Sequence, residues 1–270
     1  MSKQSSKELF EWYAQVAEQK PNFKMKNIDC IELLKSIPNN SIDLVVTDPP
    51  YLIDYKTNYR INKEHKFCST IKNDNNPDLI SNVIKELYRV MKDDTAGYMF
   101  CNFDKVDFFK KEIEKYFKIK NIIIWVKNNW TAGDLKAQFG KQYEMIILFN
   151  KGRCLFNGKR LTDVWYFDRV AGKKQLHQNE KPLDLIKQAI EKHSKEGDLI
   201  LDCFAGSNTT GLACLQSNRN FIGCEIDKEY FEIALKRIQE HSQQSTLLPL
   251  AENSKEVRHS SHYKLGDYNA

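Results

Sequence analysis

The chain has 270 residues, 41% hydrophobic and 29% charged. That is enough for one large α/β domain or two small ones with a normal core, and it excludes a disordered chain. A net charge of +5 and a pI near 8.6 permit a polyanionic partner without demanding one.

The seven cysteines (Cys30, Cys68, Cys101, Cys154, Cys203, Cys214 and Cys224) are widely spaced, and no C-x-x-C occurs. This argues against a disulfide framework and a structural zinc site, so no metal is expected. No apolar run reaches membrane-spanning length, and the start "MSKQSSKELFEWYAQ" lacks a signal-peptide core. A soluble, cytoplasmic protein is expected.

In chain order, a leading helix is expected over residues 1–20, ending near Pro21, and the main domain over 21–241. "FKMKNIDCIELLKSIPNNSIDLVVTDPP" reads as strand, short helix, turn and strand. Residues 52–75 are polar and basic with scattered aromatics. That is too long for an ordinary connection and suggests a functional loop. "PDLISNVIKELYRVMK" is a helix with Pro77 near its first turn. "AGYMFCNF" is a strand, "VDFFKKEIEKYF" a helix, and "KNIIIWVKN" and "YEMIILFNKG" strands. "NWTAGDLKAQFG" is a loop, and residues 151–178 are irregular. "PLDLIKQAIEKHSK", "GDLILDCF", "SNTTGLACLQ", "NFIGCEID" and "KEYFEIALKRIQEHS" alternate helix and strand. Residues 242–270 are polar and are expected to form a flexible tail. The alternation implies a mostly parallel sheet with helices on both faces.

Two stretches carry chemistry. In "LVVTDPPY" an aliphatic strand stops at Asp48, Pro49, Pro50 and Tyr51. Neither proline has an N–H for a sheet ladder, so the strand must end there. In "DLILDCFAGSNTTG" Gly206 sits where a strand tip turns into a helix, and the helix start at Ser207–Thr209 offers free N–H groups to an anion. Glu225, 19 residues further on, closes the next strand. An acid at that offset reaches ribose hydroxyls in nucleotide-binding βαβ units. The G-x-G-x-x-G of pyrophosphate binders is absent. A cofactor that joins adenosine to a single carboxylate fits better, and S-adenosyl-L-methionine is such a molecule.

Ligands of open α/β sheets bind outside the carboxyl ends of the strands, so one crevice can hold both stretches. There Asp48 and the Pro49 carbonyl would accept the two hydrogens of a nucleobase amine. Tyr51 would offer a stacking face to an extruded base. The bland alternatives are an Asp-Pro turn and an ordinary βαβ unit with a tight glycine turn.

"TDPPY", followed much later by "HQNEKPLDLI", "GDLILDCFAGSNTTG" and "FIGCEID", resembles the DNA exocyclic-amine methyltransferases. The similarity is to the adenine-N6-modifying group in which the catalytic tetrapeptide precedes the cofactor motif. It covers roughly residues 22–240 and implies a Rossmann-like, mostly parallel seven-stranded sheet with one antiparallel strand, the fold of S-adenosylmethionine-dependent methyltransferases. It implies adenine-specific methylation of DNA with base flipping, in a restriction–modification, phage or orphan system. Asp48, Pro49, Pro50 and Tyr51 would be catalytic. Cofactor contacts would come from Asp29, Lys181, Asp202, Phe204, Ala205, Gly206, Ser207, Asn208, Thr209 and Glu225. Asp29 would meet the cofactor adenine, Glu225 the ribose, and Lys181 of "EKP" would lie near the cofactor carboxylate. The family usually has glycine where Asn208 stands, and the residues before "EKP" also depart from its pattern.

Rival readings are a cytosine-N4 DNA methyltransferase and a non-catalytic DNA-binding subunit of the same fold. An RNA amine methyltransferase would place its glycine motif first. DNA contacts are expected from insertions near 52–75 and 128–176. The latter include Lys151, Arg153, Lys159, Arg160, Trp165, Tyr166 and Arg169. A homodimer and a cognate restriction endonuclease are compatible partners; a membrane is not.

Overall fold

The computed structural model describes residues 22–53, 74–130, 135–170 and 180–247. The expected leading helix, most of the 52–75 insertion and the chain beyond residue 247 lie outside the described residues.

The elements are β1 (Phe23–Lys26), α1 (Cys30–Ser36), β2 (Ile42–Thr47), α2 (Pro77–Val90), β3 (Met91–Cys101), α3 (Val106–Glu114), β4 (Lys118–Val126) and β5 (Tyr143–Lys151). They continue with β6 (Val164–Tyr166), α4 (Leu183–His193), β7 (Leu199–Asp202), α5 (Thr209–Gln216), β8 (Asn220–Cys224) and α6 (Lys228–Leu247). One sheet holds them in the order β1-β8-β7-β2-β3-β5-β4-β6. Among the described strands only β5 runs against the others.

Among the described residues the sheet has eight strands rather than the implied seven. The segment read as irregular contains β6, three residues paired to the edge of β4. It is too short to leave a periodic signal. Two other boundaries moved. β3 begins at Met91, directly after α2, because Met91 pairs with Ile42 across a bulge. The last helix runs to Leu247, past the expected boundary at 241, since "HSQQSTL" has no glycine or proline to stop it.

Burial follows the period of two. Leu44 and Val46 of β2 face one apolar cluster with Tyr98, Phe100, Leu185 and Ile190. Val45 faces the other with Leu33, Ile84, Leu87 and Phe149. The turn before β2 is held by Arg89 of α2. Its guanidinium donates to Leu34 O at 2.7 Å and to Ile37 O at 2.9 Å.

The topology decides where the site lies. The chain passes from β2 to β3 on one side and from β7 to β8 on the other, so the order reverses between β2 and β7. These neighbours pair in parallel, Leu44 with Ile200 and Val45 with Leu201. Their carboxyl ends therefore open on the same crevice, where ligands bind in open α/β sheets.

Candidate active site

The strand β2 ends at Thr47, and Asp48, Pro49, Pro50 and Tyr51 follow at its tip. β7 ends at Asp202, and the FAGSN turn follows. The two tips are tied directly. Thr47 Oγ1 donates to Asp202 Oδ1 at 2.9 Å, and Thr210 Oγ1 donates to Asp202 Oδ2 at 2.7 Å. The Phe204 N–H adds a third bond at 3.0 Å. Burial pushes the Asp202 carboxyl up to about 6, against the pull of these donors. The sequence suggested a cofactor contact for Asp202; the structure makes it the bracket between the two motifs, and it also lines the cavity.

The cavity is about 500 Å³, a volume in the range of small-molecule sites. Asp48, Pro49, Pro50 and Tyr51 line it together with Phe204, Ala205, Gly206, Ser207, Thr209 and Glu225. Gly206 has φ +52 and Asn208 φ +64. Both are left-handed, the region glycine enters freely and asparagine tolerates. Asn208 caps α5, its Oδ1 accepting from Gly211 N at 3.0 Å, so asparagine meets the left-handed backbone requirement of this turn. Glu225 is fixed by two backbone donors, Gly206 N at 2.9 Å and Asp227 N at 2.8 Å. Burial raises its carboxyl above the ordinary range.

Asp29 caps α1, accepting from Ile31 N at 2.8 Å. It lies on a small adjoining cavity shared with Phe204, Glu225 and Ile226, residues that also line the large one. The glycine turn, the buried acid Glu225 at the next strand end and this side recess meet on one cavity, a lining compatible with an adenosine cofactor that has a short charged tail.

Lys181 lines the same cavity, and its side-chain contacts are with the Asp48 tip. Its ammonium lies 2.7 Å from Asp48 Oδ2, 3.0 Å from Glu144 Oε2 and 3.1 Å from the Tyr51 hydroxyl. It also sits 4.9 Å above the Phe100 ring. Its charge is thus held at the Asp48 tip, and its neighbour Glu180 connects through Arg237 to the Ser207–Thr209 turn. Glu180 pairs with Arg237 at 2.9 Å, and Arg237 donates to Ser207 O at 3.2 Å and Thr209 Oγ1 at 3.1 Å.

Around Asp48 the charges are tightly packed. The Tyr51 hydroxyl donates to Asp48 Oδ1 at 2.6 Å and approaches Glu144 Oε2 at 3.3 Å. Glu144 Oε1 accepts from Lys127. Burial pushes the Asp48 carboxyl up, with Lys181 opposing. Burial alone would lower Lys181, but Asp48 and Glu144 hold it above the ordinary lysine range. Glu144 is pushed up by burial, yet Lys181 and Lys127 bring it down to about 2. Glu144, Lys127 and Arg237 were not found from the sequence. β5 runs antiparallel, so its first residues lie at the same sheet edge as the last residues of β2, β3 and β4. An acid inside the apolar run "YEMIILF" was the available signal.

Of the expected DNA-facing residues, Arg153, Lys159, Arg160, Tyr166 and Arg169 are exposed, and Arg169 reaches the cavity. Lys151 and Trp165 are buried instead. Lys151 donates to Met91 O and Asn40 Oδ1, both at 2.8 Å. Trp165 packs in the core and donates to Thr162 O. The root of the 52–75 insertion is closed by Asp74, which accepts from Leu52 N at 2.9 Å. No helix among the described residues is long and apolar enough to cross a membrane.

A doubly wound sheet with an acidic-proline tip beside a glycine turn defines a nucleotide-cofactor group-transfer site. The chain belongs to the DNA methylase family, whose profile matches residues 42–236. It is 30% identical over 246 residues to the DNA adenine methyltransferase YhdJ of Escherichia coli K12, covering 78% of this chain and 80% of that protein. It is 29% identical over 245 residues to the type II methyltransferase M.HinfI of Haemophilus influenzae, covering 78% and 67%. Among solved structures it resembles the M1.HpyAVI–SAM complex, at 27% identity with a TM-score of 0.59, covering 80% of this chain and 99% of that one. The PvuII cytosine-N4-specific methyltransferase shares the fold at 20% identity and a TM-score of 0.66, covering 81% and 89%.

Proposed function

We propose that this protein transfers a methyl group from S-adenosyl-L-methionine to the exocyclic N6 amine of adenine in DNA. The observation that carries the reading is the Thr47–Asp202 bond. It locks the DPPY tip and the FAGS turn, remote in sequence, onto one cavity at adjacent strand ends. Relatives named as adenine methyltransferases support the choice of base, and relatives named type II methyltransferases support a modification role beside a restriction endonuclease or alone.

When bound, S-adenosylmethionine supplies an activated methyl group. Gly206, Ser207 and Thr209 would hold its charged tail, Glu225 its ribose, and Asp29 with Phe204 its adenine. The chain's own work is on the amine, whose lone pair is delocalised into the ring. Asp48 and the Pro49 carbonyl accept its two hydrogens and draw the nitrogen toward tetrahedral geometry. The proline rings fix the direction of that carbonyl. Asp48 already accepts from Tyr51 and Lys181, but a carboxylate offers about four lone-pair sites, so capacity remains for the amine. The target base would be extruded from the duplex and stacked on Tyr51. Fixed acceptors and in-line placement supply most of the catalysis. The exposed Arg153, Lys159, Arg160 and Arg169 would face phosphates.

Methylation mapping of DNA from cells expressing the protein tests this reading. N6-methyladenine at a defined short site is expected. Unmodified adenine in cells that contain soluble protein would overturn it.

A further inference from the structure

Glu144 belongs to neither of the motifs that define the site, yet it touches almost everything around Asp48. It accepts from Lys181 at 3.0 Å, lies 3.3 Å from the Tyr51 hydroxyl, and binds Lys127 with its other oxygen. Lys181 and Tyr51 are the two side chains that hold Asp48, at 2.7 and 2.6 Å. Glu144 is thus the shared anchor of both side chains that orient the acceptor. It is the second residue of β5, opposite Trp125 of β4, so its backbone is fixed by the sheet rather than by a loop.

We propose that Glu144 is a positioning residue for methyl transfer, holding Lys181 and Tyr51 against Asp48 and keeping the charge around the target amine balanced. This rests on the reading of Asp48 as the acceptor for that amine. The cluster consists of two carboxylates, Asp48 and Glu144, and two ammoniums, Lys181 and Lys127. The amine becomes positive as the carbon–nitrogen bond forms and the carbon–sulfur bond breaks. A balanced cluster leaves the Asp48 carboxylate free to stabilise that charge. Without the Glu144 charge the cluster carries a surplus cation in a partly buried site, and the surplus opposes the reaction. One uncompensated unit charge several ångström away, at an effective dielectric of about 20, corresponds to roughly a 10- to 50-fold slower step.

The groups facing Asp48 are Tyr51 on its own segment, Lys181 before α4 and Glu144 on β5, with Lys127, Cys101 and Asp202 beyond. Glu144, as a like charge, raises the Asp48 carboxyl, so neutralising it moves the acid limb of the rate to lower pH while the plateau falls. A role in packing alone moves no limb.

The test is single-turnover methylation of DNA against pH, with cofactor and DNA saturating, for the native enzyme, Glu144→Gln, Glu144→Asp and the double variant Glu144→Gln/Lys127→Met. We expect Glu144→Gln to lose roughly 10- to 50-fold at the plateau, with its acid limb shifted down and cofactor affinity within about twofold of native. Glu144→Asp keeps the charge and should keep most of the rate. The double variant removes the surplus cation and should recover most of what Glu144→Gln loses. A native rate in Glu144→Gln overturns the inference. So does an equal loss in all three variants with the acid limb unmoved. An inactive native enzyme would instead overturn the reading of the whole site, and this inference with it.

Discussion

Replacing Asp48 separates chemistry from binding more cleanly than any other change. In Asp48→Ala the target amine loses one of two fixed acceptors. Removing one preorganised partner from a transition state typically slows the reaction about 100- to 1,000-fold, or about 2.7–4 kcal/mol. Lys181 also loses its nearest carboxylate. Breaking a buried pair costs about 3–5 kcal/mol of stability. Here Glu144 remains at 3.0 Å and the Asp48 side chain is 23% exposed, so about 2 kcal/mol is the better figure, a fall in Tm of roughly 4–8 °C. Asp48→Asn is the finer probe. Lys181 can only donate, so the asparagine must turn its oxygen toward Lys181 and its amide toward Tyr51, whose hydroxyl can rotate to accept. One acceptor then remains, without its charge. Activity should fall between alanine and native. The assay is single-turnover transfer of a labelled methyl group, with cofactor and DNA affinities measured alongside. Asp48→Ala running at the native rate would refute the role of the DPPY tip and leave only a strand-end turn.

Gly206→Val should abolish S-adenosylmethionine binding by calorimetry while circular dichroism stays native, because a β-branched residue resists φ +52 and crowds the turn the cofactor approaches; normal affinity would remove the cofactor assignment. Arg237→Ala should weaken cofactor binding roughly tenfold, about 1.4 kcal/mol, with the rate at saturating cofactor near native, since Arg237 ties Glu180 to Ser207 and Thr209; an unchanged affinity would show that the tie is idle. Gly97→Ala should lower the melting temperature by roughly 2–12 °C, the equivalent of about 1–3 kcal/mol of overpacking, because its Cβ would lie 2.2 Å from the Phe149 ring; an undiminished melting temperature would mean that the ring moves aside freely.

Much of this site can be read in the sequence because its chemistry is local. Two prolines must end β2, and a glycine with a following asparagine must turn the chain after β7, so Asp48 and Gly206 announce themselves. Glu225 follows from its offset along one βαβ unit. Glu144 does not, because its position depends on β5 running against its neighbours, which brings the start of that strand to the edge where the others end. Nothing in "YEMIILF" states a direction. Lys181 was found from its motif, but its contacts with Asp48 and Glu144 were not, since a motif gives the backbone position and the ammonium then follows the nearest carboxylates. Trp165 and Lys151 looked like surface groups because the strand that buries Trp165 is three residues long, and because the partners of Lys151 lie far away in sequence, at Asn40 and Met91.

The central claim is methyl transfer to the adenine amine. Purified protein should be incubated with methyl-labelled S-adenosylmethionine and double-stranded DNA, and the product digested to nucleosides and separated. The account predicts label in N6-methyladenine alone, and none when Asp48→Ala replaces the native protein over the same time. Label in N4-methylcytosine, label only when RNA replaces DNA, or no label from folded protein that binds the cofactor would contradict it.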